Sequence, residues 1–333
     1  MLRRELLVLS VLSAASAATG SLGCGSKKAA GKLTLAVIPK GTSHVFWKSV
    51  HAGAVKAAKE LGNVDVVWKG PEKEDDLKGQ TDVVESFVAQ GVSGIILAPL
   101  DDKGLQAPVK QAVGAKIPVV IFDSDLQGSD YSSFVATDNF AAGKIAGDAM
   151  AKLLGDKGKV VVLRYQEGSA STQKREDGFL EAIKAHSGIE VVSENQHAGP
   201  TTASAQTASE NLLSAQKASD GGVNGVFCPN ESSTFGMLKA LKGMNLAGKV
   251  KFIGFDSSEG LVEGLKNGEL DGLIVQNPLK MGYLAVKTMV SVIKGEKVDQ
   301  RIDTGADLVT KANMDDATHK ELLSPDLKQW LGE

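Results

Sequence analysis

Phe46 and Trp47, the carboxylates Asp123 and Asp256, Arg175, and the amides Asn230 and Gln276 all follow short apolar runs of the chain. His44 and Ser124 lie beside two of them, and Asp125, Glu167 and Ser169 fall in the same kind of place. Parallel α/β sheets bind ligands beyond the carboxyl ends of their strands, so side chains that recur there can meet in one site. Together these residue types suit a small polyol. Its C–H faces lie against aromatic rings, and each hydroxyl both donates and accepts a hydrogen bond. An arginine or aspartate can hold two neighbouring hydroxyls at once.

Other chemistries lack what they need. The first apolar run leads into Pro39-Lys40-Gly41-Thr42-Ser43-His44, with no Gly-x-Gly-x-x-Gly to bring backbone against a pyrophosphate. Residues 243–250 approach a phosphate-binding loop. Val250, however, stands where a hydroxyl would hold magnesium, and the segment precedes a strand-like run where the motif must follow one. The five histidines are scattered, and His44 and His51 have no third ligand nearby, so no metal site is expected. There is no Gly-x-Ser-x-Gly elbow. Asp123 and Asp125 would point the same way on a strand, but that spacing alone does not make a glycosidase. The expectation is a binding protein without catalytic residues, metal or cofactor.

The elements that must position these groups alternate regularly. Strand-like runs are expected at 33–38, 64–68, 94–98, 118–122, 133–136, 159–163, 189–193, 223–227, 250–254 and 272–275. Helical spacing appears between them, for example at 46–61, 77–90, 140–154 and 178–186. Runs apolar on both faces, alternating with helices, predict parallel sheets covered on both sides. Ten strands exceed one small sheet, so two α/β lobes are expected. Asp138 or Asn139, and Asn230 with Ser233, read as helix caps. The tail contains an apolar run at 306–309 and helix-like pieces at 315–323 and 325–331, expected to pack along the outside of a lobe.

The 333 residues carry a net charge of −3, which supplies no basic face for nucleic acid. Arg3 and Arg4, the apolar stretch 6–12 and the small residues after it read as a secretory signal over 1–23. Gly23-Cys24 resembles the end of a bacterial lipobox, which implies acylation of Cys24, with 24–32 as a basic tether. The other cysteine, Cys228, sits in an apolar run and is expected in the core.

The segments Ile117-Pro118-Val119-Val120-Ile121-Phe122-Asp123, Ala136-Thr137-Asp138-Asn139 and Arg175-Glu176-Asp177-Gly178-Phe179 carry a specific resemblance. So do Val226-Phe227-Cys228-Pro229-Asn230-Glu231, Ile253-Gly254-Phe255-Asp256 and Val275-Gln276-Asn277-Pro278. The chain resembles the ribose-binding protein family of type I periplasmic receptors for ABC importers, from Leu33 to about Thr310. The resemblance implies two Rossmann-like lobes joined by a three-crossing hinge near Thr137, Gln276 and Gly305. One lobe would hold 33–137 with 277–304, and the other 138–276 with 305–333. It further implies that Phe46 and Trp47 stack on a monosaccharide and that Asp123, Arg175, Asn230, Asp256 and Gln276 bind its hydroxyls. His44 stands where the ribose receptor has an Asn, and faces the ligand on the same reasoning.

Two departures weigh against ribose itself. Ser124 replaces an Arg, and 197–202 lacks an aromatic where the family has a second stacking ring. The Asp123-Ser124-Asp125 run resembles that of relatives that bind rhamnose or the autoinducer-2 signal. The implied role is capture of a pentose, hexose or deoxysugar by lobe closure. Delivery would be to an ABC permease and ATPase, by an exported, lipid-anchored monomer. The alternative is a receptor feeding a chemotaxis or sensor-kinase partner.

Overall fold

The computed structural model describes residues 31–332. The chain runs β1 (Leu33–Ile38), α1 (Val45–Leu61), β2 (Val64–Trp68), α2 (Leu77–Gln90), β3 (Gly94–Leu97), α3 (Gln106–Gly114), β4 (Val119–Phe122) and β5 (Ser133–Ala136). It continues with α4 (Asn139–Leu154), β6 (Gly158–Arg164), α5 (Ala170–Lys184), β7 (Ile189–His197), α6 (Thr202–Ala215), β8 (Gly225–Phe227), α7 (Glu231–Gly243) and β9 (Lys251–Phe255). The last elements are α8 (Glu259–Asn267), β10 (Gly272–Gln276), α9 (Pro278–Ile293), β11 (Arg301–Asp303), β12 (Ala306–Val309), α10 (Ala317–Leu323) and α11 (Lys328–Leu331).

Two six-stranded sheets result, ordered β11-β5-β4-β3-β1-β2 and β12-β10-β9-β8-β6-β7. The first is parallel throughout, and β12 alone runs antiparallel in the second. Strand alternation explains why each sheet is covered on both faces. On β1, Leu35 and Val37 join one core while Ala36 and Ile38 join the other. On β6, Val160 and Val162 face one way, and Val161 and Leu163 the other.

The chain passes between the sheets three times, after β5, after β10 and between β11 and β12. Thus α9 and β11 return to the first lobe. Met281, Ala285 and Met289 of α9 pack in the core that holds Leu35 and Val37. At the crossings the Thr137 hydroxyl donates to the Gly305 carbonyl at 3.1 Å.

The tail departs from its expected place. Leu323 of α10 is buried in the second lobe's core, whereas α11 packs on α1 of the first, with Lys56 and Lys59 over the Trp330 ring. It therefore touches both lobes. Cys228 lies fully buried in the second lobe, where burial pushes its thiol well above the ordinary range. The expected secretory signal over 1–23 and Cys24 lie outside the described residues.

Candidate ligand-binding site

The carboxyl ends of the two sets of strands face each other across a small polar cavity lined by side chains of both lobes. Eight of the nine residues expected from the sequence line it: His44, Phe46, Trp47, Asp123, Arg175, Asn230, Asp256 and Gln276. Ser124 does not. Its Oγ is buried and accepts the Ser171 amide at 3.1 Å, a bond between the lobes. Asp125 turns away to Arg301 at 2.9 Å and to the Tyr131 hydroxyl at 2.8 Å. His51 stacks on Trp68, apart from His44, and no cluster suited to a metal occurs among the described residues.

Helix α1 begins at the cavity wall and brings two rings there. Phe46 and Trp47 meet edge-on at 4.9 Å, and Trp47 also packs edge-on against Phe122 at 6.1 Å. Such packing holds aromatic plates in fixed orientation.

Arg175 projects from α5 and is clamped on three sides. Its Nε donates to Asn139 Oδ1 at 2.8 Å, its Nη1 to the Pro229 carbonyl at 3.0 Å, and its face lies 4.1 Å over the Phe255 ring. Nη2, buried, has no hydrogen-bond partner and lies 4.0 Å from Asp123 Oδ1. Gln276 Nε2 donates to Asp256 Oδ1 at 2.7 Å, which leaves the buried Gln276 Oε1 unpartnered. A buried donor and a buried acceptor without partners cost free energy unless something in the cavity completes them.

Asp256 Oδ2 accepts the Glu231 amide at 3.1 Å. Burial pushes the Asp256 carboxyl up, against the opposing pull of Arg175 and the Gln276 hydrogen bond. Asn230 caps α7 in a capping box with Ser233 and also lines the cavity, so cap and site coincide in one side chain.

Sequence reasoning missed Lys40, Glu74, Tyr165, Ser171, Thr172 and Glu231. Lys40 follows β1, and its Nζ reaches Ser169 Oγ and Ser171 Oγ at 3.0 Å and Asp123 Oδ2 at 3.4 Å. Where Ser124 supplies no guanidinium, Lys40 puts a buried cation against Asp123. Glu231 Oε2 accepts the Phe46 amide at 3.3 Å, so a carboxylate of the second lobe caps a helix of the first. Burial pushes Glu231 up to about 7, although His44 and the α1 amides pull it down.

Two doubly wound lobes with three crossings and a polar cavity between them form the architecture of type I periplasmic binding proteins. The chain belongs to the periplasmic binding protein domain family, whose model matches residues 35–297. It is 31% identical over 286 residues to the ribose import binding protein RbsB of Haemophilus influenzae, covering 86% of this chain and 94% of that one. It also resembles a carbohydrate transporter solute binding protein from Agrobacterium radiobacter, solved in complex with D-arabinose. That match has a TM-score of 0.83 and 36% identity, covering 88% of this chain and 99% of the other. An ABC transporter solute binding protein from Agrobacterium vitis with bound D-fucose matches with a TM-score of 0.83 and 36% identity, over 87% and 100% of the two chains.

Proposed function

We propose that this protein is a non-enzymatic receptor that captures a monosaccharide between its lobes and delivers it to an ABC importer. The observation that carries the reading is the unpartnered pair, Arg175 Nη2 and Gln276 Oε1, buried in a cavity walled by Phe46 and Trp47. A sugar offers both an acceptor and a donor to that pair and apolar faces to the rings. The ligand-binding set is His44, Phe46, Trp47, Asp123, Arg175, Asn230, Asp256 and Gln276, to which Lys40 and Glu231 are added. Ser124 acts at the lobe interface instead. The relatives with ribose, D-allose, D-arabinose and D-fucose in their names support a pentose, a hexose or a deoxysugar.

The lobes are 33–137 with 277–304 and 138–276 with the segment from 305, turning about Thr137, Gln276 and Gly305. A ligand favours closure to the extent that it interacts better with the closed form than with the open one. Bonds such as Ser171 to Ser124 are made only on closing. The protein acts as a monomer, exported and held at a membrane by acylated Cys24. Mass spectrometry of the protein from its host reads the lipid.

Calorimetry over pentoses, hexoses and deoxysugars tests the main claim. The expected result is one or more sugars bound at micromolar Kd or tighter, with binding abolished in Arg175→Ala at an unchanged fold. Turnover of the sugars, or no binding by any of them, would overturn it.

A further inference from the structure

Glu74 lies in the run Glu72-Lys73-Glu74-Asp75-Asp76 between β2 and α2, and has the composition of a solvated loop. It is nevertheless only 5% exposed. Its Oε1 accepts Trp47 Nε1 at 2.6 Å and pairs with His44 Nδ1 at 2.8 Å. Its Oε2 accepts the Tyr165 hydroxyl at 2.7 Å, and its backbone carbonyl accepts Gln166 Nε2 at 2.7 Å. Trp47 and His44 belong to the first lobe and face the cavity; Tyr165 and Gln166 follow β6 of the second. One buried carboxylate thus joins a stacking ring, a ligand-facing imidazole and the opposite lobe.

We propose that Glu74 is a positioning residue for the sugar site, fixing His44 as a hydrogen-bond donor to the ligand and coupling that arrangement to closure through Tyr165. This rests on the sugar-binding reading above. With Nδ1 committed to Glu74, only Nε2 of His44 is left for a ligand. A charged imidazole donates from both nitrogens, so the ligand must present an oxygen lone pair at that point. His44 also faces Glu231 on α7 and Asp256 after β9, and Glu74 also faces Lys40 after β1. The first three of these charges act with burial opposing them, and the balance raises His44 to about 9, while His44, Lys40 and Trp47 lower Glu74 to about 2 despite its burial. The Tyr165 bond spans the cleft and is made on closing, so it adds to the affinity of the closed form alone.

Glu74→Gln keeps the shape and removes the charge. Nuclear magnetic resonance titration of the His44 ring, in sugar-free protein, is expected to show its midpoint at least about one pH unit lower in the variant. The calorimetric Kd for D-arabinose, or for D-fucose, is expected to be raised about tenfold over wild type at pH 8. At a pH at least one unit below the variant's measured His44 midpoint, where the imidazole is charged in both proteins, the rise should be less than about threefold. Tyr165→Phe should leave the sugar-free His44 midpoint unmoved and weaken binding about fivefold at both pH values. An unmoved His44 midpoint in Glu74→Gln overturns the proposal. So does a loss of affinity as large at that lower pH as at pH 8, which marks a merely structural pillar. If wild type binds no monosaccharide, the functional reading fails, and the resonance titration still decides the role of Glu74.

Discussion

Asp123 and Asp256 hold the same station in the two lobes. Each follows the fourth strand of its lobe in chain order, β4 and β9, and each adopts a left-handed backbone, with φ of 59° and 65°. They are 4% and 6% exposed, and both line the cavity. A non-glycine residue with positive φ is uncommon, and aspartate and asparagine tolerate it best. Held this way, the chain turns sharply off the strand and leaves each carboxylate in the cleft between the lobes. Local strain of this kind collects at binding sites, where the surrounding fold over-determines it.

Asparagine shares that backbone tolerance, so Asp123→Asn and Asp256→Asn separate charge from shape. Each is expected to weaken sugar binding about 10- to 100-fold, since a hydrogen bond to a charged group contributes about 1.5–3 kcal/mol. Melting temperature should stay near wild type in Asp256→Asn and fall in Asp123→Asn, which leaves the buried Lys40 ammonium without its counter-charge. Calorimetry alongside thermal denaturation reads both quantities. Unchanged affinity in both variants would remove the aspartates from the site.

Arg175→Lys tests whether the guanidinium fork matters or only its charge. Lysine can reproduce neither the pair of bonds to Asn139 and the Pro229 carbonyl nor the stacking on Phe255. Affinity is expected to fall by about 100-fold or more, with two charge-assisted bonds and their geometry lost. A lysine variant within threefold of wild type would show that a point charge suffices.

Much of this site was legible because strands apolar on both faces announce their own ends. Whatever follows β1, β4 and β9 or ends β10 had to lie near the cleft, and His44, Asp123, Asp256 and Gln276 do. What stayed hidden lacks that signal. Helix α5 was expected at 178–186 but starts at Ala170, because its first two turns bury Ser171, Thr172 and Arg175 toward the cleft instead of an apolar stripe. Strand β7 runs to His197, four residues past its expected end, as a polar edge strand. β11 is three residues, Arg301-Ile302-Asp303, too short and too polar for any pattern. Glu74 and Glu231 look like loop and helix-start acids, yet each bonds to a group of the other lobe.

Glu231 should make sugar binding depend on pH. In the closed form its midpoint is about 7, against an ordinary value near 4.5, and the facing groups are His44, Asp256 and the α1 amides. A raised carboxyl opposes closure when ionised. The penalty is full above about pH 7, fades as pH falls through 7 toward 4.5, and is absent below that. Closure therefore takes up a proton, and Kd is expected to be several-fold lower at pH 5 than at pH 8. Glu231→Gln still offers an oxygen to the Phe46 amide and has no charge to bury, so it should bind at least as tightly at pH 8 and flatten this window. A wild-type profile in the variant would assign the pH dependence elsewhere.

Gly143 tests how the scaffold sets the site. A Cβ there would stand 2.1 Å from the Arg175 carbonyl oxygen, and one at Gly178 would stand 2.1 Å from that of Phe140. Helices α4 and α5 therefore cross backbone to backbone at the residue whose side chain lines the cavity. Gly143→Ala must push α5 away at Arg175 itself, and overpacking of this kind costs about 1–3 kcal/mol. Gly147 lies one turn along the same crossing, where a Cβ would meet Ala182 Cβ at 2.6 Å and the Phe179 carbonyl oxygen at 2.8 Å. Both alanine variants are expected to melt a few degrees lower. Only Gly143→Ala should also weaken sugar binding tenfold or more, because displacing a positioning element by about 1 Å can cost about 100-fold. Equal affinity losses in the two variants would mean that general loosening of the second lobe, and not the seat of Arg175, governs binding.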